Sequence, residues 1–433
     1  MSNATAQLMQ AMLSVLRQQG QPLRSAQLQE RLQVSQPTAS RALAALVQNG
    51  AVLKLGQGRN QHYGLPRTVA GVGAQIPVTG VNAAGRVQTL GTLYALHGGG
   101  YWVEGDGLRA MLNGGPYFDG LPWLMQDMRP QGFLGRSFAR QYVGQTLSSD
   151  PRQWSDDDVL LAITQFGDDL PGNLIVGEAA LQRYGQRTAK SLPVVAAPSD
   201  YPGLAQAAMQ GAAPGSSAGG EQPKFCCLDA QGRSWIVKFS PAEDNPVAAR
   251  VRHLLRCEQL ALETLRTAGQ PVARTQLHEV QGRVFLAAER FDRTAPDVLG
   301  QAPGRIGMVS LEAFNAEFVG TADQWAKTAQ RLQDQGRMSA ADAQRLKLWG
   351  AFGQLIANTD RHYGNVSLLW NGKRWELAPC YDMLPMRFMP VQGEVPVWQW
   401  DMDAVQPSAA TLAVWQEARA LAQQFWQHVA ALP

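Results

Sequence analysis

The chain has 433 residues, of which 45% are hydrophobic and 17% are charged, with a net charge of +3 at pH 7. This composition is typical of folded proteins and excludes a disordered chain, and the length allows two or three domains. No segment approaches the ~20 uninterrupted apolar residues of a membrane span, and the N-terminus lacks the basic and apolar regions of a signal peptide, so we expect no membrane partner.

The excess of positive over negative charge lies at the N-terminus. Residues 1–67 contain seven Arg or Lys residues and one Glu, a net charge of +6, which leaves −3 for the rest of the chain. A basic head on a mildly acidic body suggests that only the head contacts nucleic acid.

Residues 1–67 have the pattern of three helices followed by a hairpin. Apolar residues recur at helical spacing in 5–19, 25–32 and 37–47, and two short strand-like runs then flank a Gly-rich turn. This is the order of a winged helix-turn-helix, which usually reads paired half-sites as a homodimer. The charge favours DNA binding over the alternative, a winged helix that binds protein. The predicted DNA-binding residues lie at the start of the third helix and on the wing: Gln36, Thr38, Ser40, Arg41, Arg59 and His62.

Residues 68–200 are rich in Gly, Pro and Trp, and short apolar runs such as 87–93 predict strands. The pair Asp168 and Asp169 is a candidate for metal binding, but its Gly- and Pro-bounded context favours a solvated turn.

The four cysteines have no zinc-ligand spacing, and two of them are adjacent and poorly placed to bond to each other. We therefore expect buried, reduced thiols and a cytoplasmic protein. These residues are Cys226, Cys227, Cys257 and Cys380.

A Gly-rich loop at 215–225 opens a predicted pair of strands, the second of which carries Lys238 near its end. Small residues let backbone N–H groups approach phosphate closely, and Lys224 adds positive charge. A lysine on an apolar strand shortly after such a loop is how a kinase places its phosphate-binding lysine. Glu258, on a helix predicted from about 247 to 268, is either the partner of Lys238 or an ordinary surface glutamate.

Helical periodicity from residue 310 leads into Asp360, followed by Asn365 five residues later and by Asp382 after an apolar segment. In phosphoryl transfer from ATP, the first Asp orients the acceptor hydroxyl, and the Asn and the second Asp bind magnesium. Between the helix and this lobe, residues 284–293 predict a strand that leads into a linker, and the backbone of its hinge, 289–291, is suitably placed to hydrogen-bond adenine. Glycine loop, strand lysine, helix glutamate, hinge strand, helical lobe and this motif therefore follow one another as in an ATP phosphotransferase.

At these motifs the sequence resembles the HipA family of bacterial serine/threonine kinase toxins, and the architecture resembles its YjjJ-type (HipH) branch, which has a fused winged helix. The resemblance rests on 217–224, 236–238, 289–293, 360–365 and 381–382. It implies an α+β protein made of three parts: a winged helix-turn-helix (1–67), a HipA-like N-terminal lobe of mixed β/α structure (68–292) and a helical C-terminal kinase lobe (293–433).

The resemblance also implies residue roles, with ATP and Mg²⁺ as cofactors. Asp360 matches the catalytic aspartate, Asn365 and Asp382 the magnesium ligands, and Lys238 the phosphate-binding lysine. The implied nucleotide-binding residues form the loop, the hinge and two flanking positions: Ala218, Gly219, Gly220, Glu221, Gln222, Pro223, Lys224, Glu289, Arg290, Phe291, His362 and Tyr381.

Three further expectations follow from the family. Ser217 matches a loop serine that members autophosphorylate, with Ser216 as a second candidate. Protein substrates include aminoacyl-tRNA synthetases, whose modification halts translation. Typical members use a separate antitoxin for DNA binding, whereas here a winged domain is attached. Glu221 departs from the family pattern, since a carboxylate beside phosphates repels them unless it faces away.

Two alternatives remain open at this point. The protein could be a DNA-binding regulator whose kinase body is inactive or only senses nucleotide. It could also be a small-molecule kinase, since related folds phosphorylate sugars, antibiotics and lipids.

Overall fold

The computed structural model describes residues 3–143, 147–186, 192–211, 220–296 and 302–432. The N-terminal head consists of three helices and a hairpin, which confirms the predicted winged helix-turn-helix. Its apolar core is formed by the inward faces of the helices, among them Met12, Leu28 and Leu43. The elements are α1 (Asn3–Gln19), α2 (Ser25–Leu32), α3 (Gln36–Gln48), β1 (Leu53–Leu55) and β2 (His62–Gly64).

A middle region follows, built on a five-stranded antiparallel sheet. Its strands are β3 (Gln75–Val81), β4 (Val87–Ala95), β5 (Tyr101–Glu104), β6 (Tyr117–Phe118) and β7 (Leu174–Val176). Their order across the sheet is β6-β5-β4-β3-β7. The helices of this region are α4 (Asp106–Leu112), α5 (Gly132–Phe138), α6 (Asp156–Phe166) and α7 (Glu178–Gln186).

A second five-stranded sheet carries the predicted phosphate-binding elements. Its strands are β8 (Val194–Val195), β9 (Lys224–Asp229), β10 (Ser234–Phe239), β11 (Thr275–Val280) and β12 (Arg283–Glu289), in the order β11-β12-β10-β9-β8. Two helices accompany it, α8 (Tyr201–Met209) and α9 (Pro246–Thr267). The predicted N-terminal lobe, 68–292, therefore contains two separate sheets, and the kinase-like lobe is the second of them.

The C-terminal lobe is mainly helical, as the periodicity predicted. Its helices are α10 (Leu311–Phe318), α11 (Trp325–Asp334), α12 (Ala340–Leu355) and α13 (Trp415–Ala430). The lobe also contains short strands: β13 (Arg293–Thr294), β14 (Gly304–Arg305), β15 (Met308–Ser310), β16 (Ser367–Trp370) and β17 (Trp375–Leu377). Helix α12 runs through the centre of the lobe, where Trp349 and Phe352 are buried. Within the described ranges, no helix combines the length and the apolarity that a membrane span requires.

The wing of the head packs against the middle region. The backbone amide of Gly56, in the wing turn, donates a hydrogen bond of 2.5 Å to Glu104 Oε1 on β5. The ring of His62 lies 5.1 Å from that of Trp102, measured between centroids. An apolar cluster joins the two parts: Leu55, Leu96 and Trp102. The head is therefore attached to the body through the wing as well as through the covalent link.

Candidate active site

Lys238 is the centre of a buried network of charges. Its Nζ donates hydrogen bonds of 2.7 and 2.9 Å to the two carboxylate oxygens of Glu258, and it also pairs with Asp382 Oδ1. Strand β10 and helix α9 place the first two groups, which are 9% and 2% exposed. Burial alone would lower the pKa of Lys238, but the two carboxylates raise it above its ordinary value, so the ammonium is held charged. Of the two alternatives that the sequence left open for Glu258, the structure shows the partner of Lys238 and not an ordinary surface glutamate.

Asp382 has two features of a functional carboxylate. Burial would raise its pKa, but the positive charges of Lys238 and Lys224 lower it below the ordinary value. Its backbone has φ = +57°, a left-handed conformation that few residues other than glycine adopt. Such conformations cluster at functional sites, where the surrounding structure holds them in place.

The loop that carries Asp360 is held by two asparagines. The amide of Asp360 donates to Asn358 Oδ1 at 3.0 Å, and Asn365 Nδ2 donates to the carbonyl oxygen of Asp360 at 2.8 Å. Asn358 is fully buried, while the Asp360 side chain is about half exposed. The backbone is thus fixed and the Asp360 carboxylate remains accessible. Because Asn365 uses its amide nitrogen in this contact, its oxygen is left for another partner.

A cavity of about 230 Å³ lies between the two lobes. The predicted hinge, Lys238, both proposed magnesium ligands and both flanking residues border it, so the structure brings these parts together. Tyr381 is fixed there because its hydroxyl contacts Ser367 Oγ at 2.8 Å and the Gly364 carbonyl at 2.9 Å. Among the lining residues are Lys238, Glu289, Phe291, His362, Asn365, Tyr381 and Asp382.

The donors of this cavity fit a nucleotide and Mg²⁺. Asn365 and Asp382 each offer oxygen, which is the ligand atom that Mg²⁺ prefers. The cation normally takes only one or two protein carboxylates and completes its shell with phosphate and water, so two protein ligands suffice. A Cβ added to Gly220 would lie 2.8 Å from Lys224 Nζ, so the backbone passes close to that ammonium, and φ = +91° at Gly220 favours glycine there.

A second cavity of about 850 Å³ adjoins the first and contains Asp360. The two cavities share Lys224, Lys238 and Asp382 in their walls. The predicted loop residues Glu221, Gln222 and Pro223 also border the larger cavity. A group bound in the smaller cavity can therefore meet one bound in the larger cavity at the position of these charges.

The predicted phosphate loop lies partly outside the described residues. Ser216, Ser217, Ala218 and Gly219 fall in the range 212–219, which the structure does not describe. Lys224, which follows the described end of the loop, is buried. Burial and the positive charge of Lys238 lower the pKa of Lys224 to about 8.

The hinge contains a buried cluster of charges. Arg290 pairs with Asp292 at 2.8 Å, and Arg293 pairs with Asp292 at 2.7 Å and with Asp169 at 3.0 Å. The amide of Arg290 donates to the Ser234 carbonyl at 2.8 Å. Both the backbone N–H and the side chain of Arg290 are thus engaged within the protein. The side chain of Arg290 therefore stabilises the hinge through its ion pair with Asp292.

The expectation of a solvated turn at Asp168 and Asp169 is wrong. Asp169 belongs to the hinge cluster just described, and Asp168 pairs with Arg183 at 3.1 Å. The turn is covered because arginines that lie more than 120 residues later in the chain pack onto it.

Sequence reasoning missed a third wall of the cleft, which the middle region supplies. Asp127, Arg129 and Gln131 border the smaller cavity, although they precede the phosphate loop by about 90 residues. The amide of Ser310 donates to Asp127 Oδ2 at 2.5 Å, and Arg129 pairs with Asp156 at 2.7 Å. No local motif marks these residues, since the segment is aromatic and irregular in sequence.

The predicted DNA-binding residues lie on the head, away from this cleft. Gln36, Ser40 and Arg41 are exposed on α3, and Thr38 is partly buried beside them. Arg59 is exposed at the tip of the wing. His62 faces the body instead, since its ring contacts Trp102. The outer face of α3 and the wing tip are therefore open to a partner.

Known families match all three parts of the chain. Residues 72–185 match the YjjJ-like toxin middle domain, residues 216–431 the HipA-like C-terminal domain, and residues 11–56 the IclR helix-turn-helix domain. Over 420 residues the chain is 36% identical to Toxin YjjJ of Escherichia coli (strain K12), a match that covers 95% of this chain and 91% of that protein. The chain belongs to the YjjJ-like family of HipA-type toxins. The predicted family resemblance is confirmed.

Two solved structures are also similar to the chain. One is a chain from the Shewanella oneidensis MR-1 toxin–antitoxin complex of HipA, HipB and operator DNA, with 15% identity, a TM-score of 0.48 and coverage of 82% of this chain and 91% of that chain. The other is the Helicobacter pylori proinflammatory kinase CtkA, with 18% identity, a TM-score of 0.29 and coverage of 38% and 54%. Both scores lie below 0.5, so membership of the YjjJ-like family rests on the sequence match.

The domain matches of the YjjJ-like family agree with the two sheets of the fold. The middle-domain match spans β3 to β7, and the HipA-like match spans β9 to α13. Asp127, Arg129 and Gln131, which form the third wall of the cleft, therefore belong to the region that matches the YjjJ-like toxin middle domain.

Proposed function

We propose that this protein is an ATP- and Mg²⁺-dependent protein serine/threonine kinase of the HipA-type toxin class, with a DNA-binding head. The observation that supports this most strongly is the position of Lys238 between Glu258 and Asp382. This arrangement corresponds to the lysine–glutamate pair and metal-binding aspartate that protein kinases assemble before phosphoryl transfer, which supports the proposal.

The nucleotide would occupy the cavity of about 230 Å³ between the lobes. The hinge backbone at Glu289 and Phe291 would contact the adenine, with Tyr381 and His362 on either side. Lys238 and Lys224 would bind phosphate oxygens, and Asn365 and Asp382 would hold Mg²⁺. ATP would supply the phosphoryl group, and Mg²⁺ would neutralise the negative charge that develops during its transfer.

Asp360 is the proposed catalytic residue, since its half-exposed carboxylate opens on the larger cavity, where an acceptor can enter. The acceptor hydroxyl oxygen forms a bond to the γ-phosphorus as the bond from that phosphorus to ADP breaks. Asp360 orients the hydroxyl and accepts its proton. Asn358 and Asn365 keep the Asp360 backbone in position during this step.

The acceptor we propose is a protein serine or threonine. Ser217, with Ser216 as the second candidate, is the proposed site of autophosphorylation. The substrate that we propose besides the protein itself is a protein whose modification arrests translation, such as an aminoacyl-tRNA synthetase. Such a substrate agrees with membership of a toxin class. The head then supplies operator binding within the same cytoplasmic chain, through the open face of α3. An antitoxin protein is a further proposed partner, as in typical members.

Incubation of the full chain with γ-labelled ATP and Mg²⁺ tests the proposal, with Asp360→Asn as the matched variant. We expect wild-type protein to label itself and a small set of lysate proteins, and Asp360→Asn to lose at least 100-fold of this labelling (order of magnitude for a catalytic acid–base group). Labelling by wild-type protein no higher than that of the variant would contradict the kinase proposal. It would favour the alternative, a DNA-binding regulator whose kinase body is inactive or only senses nucleotide. Phosphorylation of metabolites alone would establish the small-molecule kinase.

A further inference from the structure

The described end of the phosphate loop touches helix α5 of the middle domain. The backbone amide of Phe133 donates a hydrogen bond of 3.0 Å to the carbonyl oxygen of Gly220. The approach is close, because a Cβ added to Gly132 would lie 2.4 Å from that same oxygen. Gly132 has φ = +61° and Gly220 has φ = +91°, conformations that favour glycine at both positions. The contact thus depends on a glycine on each side.

The next residue of the loop is held by the same helix. Arg136, one turn after Phe133, forms an ion pair of 2.6 Å with Glu221. This pair turns the Glu221 carboxylate toward the middle domain, and the hydrogen bond from Arg136 lowers the pKa of Glu221. The acidic residue that departs from the family pattern is therefore neutralised by an arginine from another domain.

From these contacts we infer that Arg136 is a positioning residue for nucleotide binding. It anchors the end of the phosphate loop to the middle domain and keeps the Glu221 carboxylate away from the phosphates. This inference rests on the proposed function, because it assigns the loop to ATP phosphates. It explains how a loop with a carboxylate at this position can still accept an anionic ligand. Removal of Arg136 releases that carboxylate next to Lys224.

The experiment compares Arg136→Ala with Arg136→Lys and Arg419→Ala in the full chain. The Arg419–Asp403 pair is a matched control, since its side chains are 35% and 71% exposed, as are those of Arg136 and Glu221. We expect Arg136→Ala to raise the Kd for Mg-ATP about two- to fivefold, the upper part of the range for an ion pair with partial exposure. Arg136→Lys retains most of the affinity. The rate at saturating ATP changes little, because the chemical groups at Lys238 and Asp360 remain.

Two further measurements separate the anchor from a general loss of stability. Amide exchange of Phe133 without nucleotide should be faster in Arg136→Ala than in the control. The double variant Arg136→Ala/Glu221→Gln should bind ATP more tightly than Arg136→Ala, since no carboxylate is released. An ATP Kd and a Phe133 exchange rate equal to those of Arg419→Ala would overturn the inference. If wild-type protein binds no ATP, the proposed function fails, and Phe133 exchange alone then decides whether Arg136 anchors the loop.

Discussion

The ammonium of Lys238 and the carboxylate of Glu258 form two hydrogen bonds, at 2.7 and 2.9 Å, in a part of the cleft where both side chains are buried. Helix α9 and strand β10 are therefore tied together at the point where the nucleotide phosphates are proposed to bind. A third group, Asp382 from the C-terminal lobe, reaches the same ammonium. One lysine thus fixes the relative position of three elements.

Glu258→Gln should lower the rate of phosphoryl transfer about 10- to 100-fold, which corresponds to the loss of one charge-assisted hydrogen bond. The lysine loses one of its two anionic partners and is drawn toward Asp382. Steady-state labelling by γ-labelled ATP measures the rate. Glu263→Gln is the control, because Glu263 lies on the same helix but pairs at the surface with Arg266. Equal rates in the two variants would contradict a role for the pair.

The affinity for Mg-ATP should fall as pH rises from about 7.5 to 9.5. The pKa of Lys224 is lowered to about 8, mainly by burial, so the free protein loses this positive charge within that interval. The anionic ligand favours the charged form, and affinity declines once the pH exceeds the pKa of the free protein. Calorimetric titration over this range measures the effect. In Lys224→Arg the decline should be smaller, because a guanidinium stays charged; a decline as steep as in wild type would refute the assignment.

Asp292→Asn should lower the free energy of unfolding by about 3–5 kcal/mol, because Arg290 and Arg293 would remain buried without their shared carboxylate. The shift of the urea midpoint at pH 7 measures it, and Asp403→Asn at the surface should change the midpoint little. The two arginines lower the pKa of Asp292 despite its burial. Its contribution is therefore present above the unfolded pKa of about 3.9 and is lost as pH falls through the lower folded value. The variant should lack that part of the acid sensitivity.

Arg41→Ala should weaken binding to a duplex from the protein's own promoter and lower the slope of log affinity against log salt by about 1, as the loss of one phosphate contact requires. Arg41 is exposed at the start of the outer face of α3. Fluorescence anisotropy at several salt concentrations measures both quantities. Lys373→Ala, an exposed charge on the C-terminal lobe, is the control, and an unchanged salt slope in Arg41→Ala would contradict the predicted interface.

The order of motifs along the chain was enough to predict the cleft. Lys238, Glu258 and Asp382 could be matched to one another because each follows a recognisable local pattern: an apolar strand, a long amphipathic helix and an Asp-x4-Asn motif with a later Asp. The same holds for the head, where helical spacing and a Gly-rich turn define the elements. Asp360 likewise takes its accessibility from a short loop whose two asparagines are close in sequence.

The contacts of the middle domain could not be predicted in this way. Arg136 and Glu221 are 85 residues apart, and each is a charged residue of the kind found on any protein surface. Asp169 was misjudged for the same reason, since its neighbours suggest a turn and its partner Arg293 comes 124 residues later. Packing between domains determines these contacts, and a single sequence contains no periodic signal for it.

The docked wing has a geometric consequence for DNA. Because Gly56 and His62 contact the body, the direction in which α3 points is set by the middle domain. In a dimer, the separation of two such helices would then be a property of the assembled bodies. Inserting five base pairs between the half-sites rotates one of them to the opposite face of the duplex, about half of a 10–10.5 base-pair turn. A head on a free tether could follow that rotation, whereas this head would lose its second half-site.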